Sequence, residues 1–402
     1  MKKKLKRYSF LIGLIVVLGL LIRVFGIKFV SSDYTLFLEP WFEEIKTNGG
    51  FKALKDYPGN YTAPYMTIVA FLTYFPVSSL VSIKIVSIIF DFVLAFVGVL
   101  LAKELLEKGE ARHNENLKDI IYLFIFGLLI SLPTIVFNSS AWGQCDSIYV
   151  TFCVLSLVFL LRKKYAISLF VFGIALAFKL QAIFLLPVFG IYFFARLGRY
   201  KEGEERFRFL YFFLIPIGVF IMSIPAIMMG MPIRKVFDVY FMQAGYYQGR
   251  LTSNFPNIYA LLPNGINTRI ATIVGVVATA VLLFALLIFV VKRKKELSAV
   301  ETIKLSVVVL MICVLFLPMM HERYFYLGEV LCLIYCLAEW KDFWLAIGVE
   351  AIALGTYVSF SFGLIGVLPV YSMVFIGICL GWIYKCYLEE ASGSKITKLS
   401  SE

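Results

Sequence analysis

The apolar residues of this chain fall in long blocks separated by short polar breaks, without the two-residue alternation of a half-buried strand. The blocks cover 8–27, 81–102, 120–138, 146–161, 165–180, 182–196, 207–229, 270–291, 302–319, 324–339, 343–361 and 367–386. A helix needs about 20 mostly apolar residues to cross a hydrocarbon layer, and it satisfies its own backbone polar groups there. The pattern predicts an all-α polytopic membrane protein with about twelve transmembrane helices. The run at 64–76 is too short to cross as a helix and reads as re-entrant or interfacial. Two connections stand out by length, 28–80 and 231–268, and together they are rich in Tyr, Trp, Pro and Asn. Connections this long tend to be functional, and these are expected to carry short interfacial helices. No tandem repeat and no linker to a soluble domain is visible, so residues 1–402 read as one membrane domain.

Charge gives that outline an orientation. Lys and Arg total 38 against 26 Asp and Glu, a net charge of +12. In a soluble protein this excess would suggest nucleic acid. Here it follows the loops: with the N-terminus cytoplasmic, the inside set holds 26 of the 38 basic residues, as the positive-inside rule requires. Both termini are therefore expected in the cytoplasm, with 28–80 and 231–268 on the outer face and no nucleic-acid partner. The basic start followed by an apolar run to Phe25 resembles a signal peptide, but no small-residue cleavage pattern ends it, and it reads as an uncleaved first span.

Composition removes whole classes. With 61% hydrophobic and 16% charged residues, the chain lies far from soluble domains, which run about 45–50% apolar and about 25% charged. Of the seven cysteines, Cys153, Cys313, Cys332, Cys336, Cys379 and Cys386 lie in or beside apolar runs, and no spacing reads as a zinc site or a disulfide framework. His113 and His321 are the two histidines, too few for a His-rich metal site. No Walker loop, GxGxxG, HExxH or GxSxG is present, leaving ATP use, nicotinamide binding and zinc proteolysis without support.

Four polar clusters interrupt the blocks, and the orientation puts all of them outside. They are Ser31-Ser32-Asp33-Tyr34, Asn138 to Ser147, Lys179 with Gln181, and Met320-His321-Glu322-Arg323-Tyr324. Simple roles exist for each. Asp33 and Asp146 could cap helices, Lys179 could snorkel, and Glu322 could pair with Arg323 in an exposed turn. Arg23 and Lys84 add outer-half cations that could also snorkel. Ionisable groups at membrane depth are nonetheless functional candidates. Two carboxylates, several cations and many aromatics on one face suit lipid-phosphate chemistry, in which a carboxylate takes a proton from an acceptor hydroxyl and cations hold a leaving phosphate. Arg323, His321, Lys179 and Arg250 are the candidates for the phosphate. A transporter or flippase for a lipid-linked saccharide is the alternative; it would favour paired half-repeats and midplane charges.

These motifs resemble the GT-C superfamily of integral-membrane glycosyltransferases, and among them the bacterial relatives of the GPI-anchor mannosyltransferase that adds the second mannose. The resemblance is carried, in order, by Asp33-Tyr34 with Pro40-Trp41-Phe42, Tyr61 to Tyr65, Trp142-Gly143-Gln144-Cys145-Asp146-Ser147, Lys179-Leu180-Gln181, Ser253 to Tyr259, and His321-Glu322-Arg323-Tyr324. It spans about residues 8–340, and Ala63 stands where the family more often has a second Pro. It implies a polyprenyl-phosphate-sugar-dependent hexosyltransferase acting at the extracytoplasmic face of the cell membrane on a glycan or lipid-linked acceptor. Asp33 would be the general base. Asp146 would orient the acceptor or, with Asp33, hold Mg²⁺ or Mn²⁺, although no cofactor is required. Tyr34, Trp41, Tyr61, Tyr65, Trp142, Gln144, Gln181 and Asn254 would line the substrate site. Inversion would follow from a single in-line displacement.

Overall fold

In the computed structural model the described residues are 2–57, 59–108, 114–245, 249–263, 265–340 and 342–385. The segment 109–113, Lys341 and the tail from 386 carry part of the positive-inside argument and lie outside them. The chain is helical, with sixteen α-helices among the described residues. They are α1 (Lys2–Val24), α2 (Glu39–Thr47), α3 (Ala63–Leu72), α4 (Ser79–Lys108), α5 (Glu115–Ser131), α6 (Pro133–Val136), α7 (Asp146–Leu161), α8 (Tyr165–Phe178), α9 (Leu186–Arg196), α10 (Leu214–Met228), α11 (Ile233–Gly245), α12 (Thr268–Lys292), α13 (Ala299–Phe316), α14 (Tyr326–Glu339), α15 (Phe343–Ser361) and α16 (Leu368–Ile383). The segment 28–80 does contain short helices, α2 and α3, and 231–268 contains α11.

Each apolar block holds a helix, but the count of full-length spans is smaller than the blocks suggest. Five helical stretches are long and apolar enough to cross a membrane, or six if α5 with the helical segment after it, bent by 43°, counts as one. The other apolar stretches, among them Tyr8–Val24 within α1, have 10–17 residues. Local chemistry shortens them. Pro133 cannot continue the hydrogen-bond ladder of α5, and the block at 182–196 begins as a 3₁₀ turn, Leu180–Leu185, before the short α9. Exposure supports the apolar assignment: Ile270, Val274, Val281 and Phe284 on α12 are each at least 60% exposed. Contiguous apolar surface of this kind calls for an apolar surrounding.

The chain folds as two compact units. The first is Met1–Ile183 with Tyr200–Tyr246, and the second is Phe184–Arg199 with Tyr247–Glu402. In the first unit α7 packs on α4 and α8, and α8 packs on α10. The Asn114 side chain caps α5 by accepting from Leu117 N at 2.8 Å.

In the second unit α13 and α14 form the buried centre. Ser298 and Glu301 form a reciprocal capping box at the start of α13, satisfying two otherwise unpaired N–H groups. A two-stranded parallel pair, Thr252–Ser253 (β1) and Met320–His321 (β2), matches Thr252 to Met320 and Ser253 to His321. Nearby, Tyr259 donates its hydroxyl to Phe316 O at 2.7 Å. Only a glycine at 275 permits this, since a Cβ there would lie 1.7 Å from Tyr259 Oη and 2.4 Å from Phe316 O. Gly→Ala inside a helix ordinarily stabilises by roughly 0.5–1 kcal/mol. Gly275→Ala should instead destabilise by about 1–3 kcal/mol through overpacking, with Tyr259→Phe in the same protein restoring part of the loss. Thermal unfolding of the purified variants measures this, and an unchanged or raised midpoint for Gly275→Ala would contradict the packing described.

Candidate functional site

In the first unit, the chain leaving α1 is held from below. Lys84 of α4 is buried, and its Nζ donates to Gly26 O, Ile27 O and Phe29 O at 3.0, 3.2 and 2.5 Å. It satisfies carbonyls at the end of α1 rather than snorkelling. Ser31 Oγ then accepts from Tyr34 N at 3.2 Å and donates to Trp142 O at 2.8 Å. Ser31 thus takes the capping role available to Asp33, whose side chain makes no cap bond to the π-helical turn Tyr34–Leu38. The Asp33 carboxylate is half-buried and accepts from Gln144 Nε2 at 2.5 Å. Gln144 Oε1 in turn accepts from the Tyr61 hydroxyl at 3.3 Å. Three segments distant in sequence are joined through the Gln144 amide.

Gln144 is presented by an irregular turn. A π-helical stretch, Phe137–Trp142, ends at Gly143 with φ +75°, a left-handed conformation that glycine adopts without a Cβ penalty. Gln144 N then donates back to Asn138 O at 2.9 Å. Asp146 opens α7 without capping it. One oxygen, Oδ2, accepts from Asn138 Nδ2 at 2.8 Å, and Oδ1 pairs with the Lys179 ammonium. Lys179 is therefore buried against Asp146 rather than reaching for solvent, and its Nζ lies 5.9 Å from the Tyr61 ring centre and 6.0 Å from that of Tyr149. Both oxygens of Asp146 thus face donors in this arrangement. Among the described residues no group of three His, Cys, Asp or Glu could hold a metal ion.

The aromatic residues form a wall. Trp41 and Tyr61 ring centres are 5.3 Å apart, and Tyr61 and Tyr65 are 5.0 Å apart. Trp41 and Tyr65 are buried, while Tyr61 is half-buried beside Asp33. Two of the other expected substrate residues are packed into the fold. The Tyr34 hydroxyl bonds with Ser79 at 2.7 Å and Glu39 at 3.2 Å, and Trp142 stacks edge-on against Phe137 at 5.5 Å. Gln181 is half-buried, and its Oε1 has no hydrogen-bond partner among the described residues.

In the second unit, Arg323 Nη1 donates to Glu322 Oε1 at 2.7 Å, and His321 Nδ1 lies 3.6 Å from Glu322 Oε2. Burial pulls the Glu322 carboxyl up, yet the His321 contact and the Arg323 charge outweigh it and hold the group below the usual carboxylate range. Glu322 is thus the buried anchor of this turn, with His321 and Arg323 half-buried on either side. Asn254, at φ +70°, bridges to His321 beside the β1–β2 pair. Arg250 is exposed.

Sequence reasoning missed Asp91. Arg23, expected to snorkel, is buried and donates to Asp91 Oδ2 from Nε at 3.0 Å and Nη2 at 2.8 Å. The available signal was an acid inside an apolar run, Ile88-Ile89-Phe90-Asp91-Phe92-Val93, which demands a buried partner. Comparison with protein-family models and with curated proteins finds no match for the chain.

Proposed function

We propose that the protein is an inverting glycosyltransferase of the cell membrane, moving a hexose from a polyprenyl-phosphate-linked donor to an acceptor hydroxyl at the outer face. The observation that carries this reading is the division of labour between the two acids. Asp146 is buried and paired with Lys179, whereas Asp33 is half-buried and accepts from the Gln144 amide. A half-buried carboxylate that a hydrogen-bond donor orients is equipped to accept a proton. Asp33 takes the proton of the acceptor hydroxyl as that oxygen bonds to the anomeric carbon. The bond from that carbon to the phosphate oxygen breaks, and its electron pair leaves with the polyprenyl phosphate. Gln144 orients Asp33, and Tyr61 orients Gln144. Lys179 supplies the positive charge Asp146 needs, so the reading is metal-independent. On the sequence resemblance alone, Arg323 and His321 are assigned to the leaving phosphate, where Arg can hold two oxygens at once.

In the same reading all twelve apolar blocks cross the membrane, the shorter helices completing their spans with flanking turns, and both termini are cytoplasmic. The test is transfer in sealed vesicles of defined orientation, with a polyprenyl-phosphate hexose and candidate acceptors. Product formed when acceptor is supplied to the extracytoplasmic face supports the reading. No glycosidic product with any hexose donor, or product only from the cytoplasmic face, defeats it.

A further inference from the structure

Asp91 lies within α4 and is fully buried, where an ionised carboxylate is costly unless it is paired and hydrogen-bonded. Its donors come from three other segments. Arg23 of α1 bonds Oδ2 twice, and its Nη1 donates to Gly19 O and Ile130 O, both at 2.9 Å. Ser139 Oγ donates to the same Oδ2 at 2.5 Å, and Ser147 Oγ donates to Oδ1 at 2.5 Å. The two serines bracket the turn that carries Gln144 and Asp146: Ser139 lies in the π-helical stretch before it, and Ser147 follows Asp146 at the start of α7. A buried ion pair by itself needs only Arg23. Two hydroxyls, one from each end of one irregular turn, do something more: a single carboxylate fixes the spacing of the turn's ends.

We infer that Asp91 is a positioning residue, clamping the turn 139–147 through Ser139 and Ser147, with Arg23 as the counter-charge. Its effect on catalysis rests on the glycosyl-transfer reading and runs through Gln144 to Asp33; Asp91 itself touches no substrate. The geometric effect stands without that reading, because Cys145 sits inside the turn and is buried, and Cys153 is buried further along α7. Each can be the single remaining cysteine of an otherwise cysteine-free protein, treated with a maleimide in detergent.

Two variants remove the clamp in different ways. Ser139→Ala with Ser147→Ala deletes both arms and keeps the ion pair. Arg23→Met with Asp91→Leu deletes the pair without stranding a charge, a change buried pairs often tolerate. In both, labelling of Cys145 should rise about tenfold or more through local opening, with Cys153 still protected. Misplacement of the turn should lower kcat by about 10–100-fold while donor KM stays within about twofold. Cys145 labelling within about twofold of the parent overturns the clamp whatever the activity. Equal labelling of Cys145 and Cys153 overturns it too, since the whole unit has then opened, and so does an opened turn with unchanged kcat. A parent protein that transfers no sugar, while its Cys145 still responds to the variants, keeps the geometric clamp and removes the glycosyl-transfer reading instead.

Discussion

Asp33→Asn is expected to lower turnover by about 10²–10⁴-fold, the usual cost of removing a positioned base. The substitution is nearly isosteric, and the Asn carbonyl can still accept from Gln144 Nε2, which now donates to Asp33 Oδ2 at 2.5 Å. Ser31, Tyr34 and the chain held by Lys84 have hydrogen bonds of their own that the substitution leaves in place. The loss should therefore appear in kcat, with donor KM and the thermal midpoint close to the parent's. Initial rates at saturating donor and acceptor measure it. A turnover near the parent's would remove Asp33 from the role of base.

The second large effect concerns stability. Lys179 and Asp146 are 7% and 2% exposed at their side chains, so removing one partner strands the other in apolar surroundings. Lys179→Met should destabilise the protein by about 3–5 kcal/mol, and Asp146→Asn with Lys179→Met in one chain should recover most of that loss. The recovery is the informative part. A buried pair makes the double variant more stable than the single, whereas two independent contributions make it less stable. Chemical unfolding of the three proteins in one detergent decides between them.

The helices were legible because an apolar span obeys composition alone: the block 81–102 lies inside the continuous α4, Ser79–Lys108. Local departures were not. The π-helical turns at 34–38 and 137–142 follow no periodic signature, and the shortening of blocks by 3₁₀ turns follows no composition rule. Capping illustrates a second limit. A Ser-Ser-Asp run before a helix signals a cap, but the sequence does not say which residue supplies it; Ser31 does so here, and the Asp33 carboxylate meets Gln144 instead. Long-range partners were the third limit. Lys84, Lys179 and Arg23 each looked like a cation near the end of a span, and each is fixed by groups far along the chain. The candidate acids and the turn motifs were readable as residue types at the right places; the pairing that gives the two acids different roles needed the fold.

The Arg23–Asp91 pair bears on how the chain is made. Asp91 follows Arg23 by 68 residues, an interval of roughly 3–14 s at typical rates of synthesis. Ile130, whose carbonyl also receives Arg23, follows by 107. Until α4 emerges, the guanidinium near the end of α1 has Gly19 O as its local acceptor, and an unpaired charge is costly to bury in apolar surroundings. A nascent α1 thus has reason to keep its Arg23 end at the water boundary, settling into apolar surroundings only once α4 arrives. For this one pair, order of synthesis and order of burial are then different things: the earlier helix waits for the later one that carries its counter-charge.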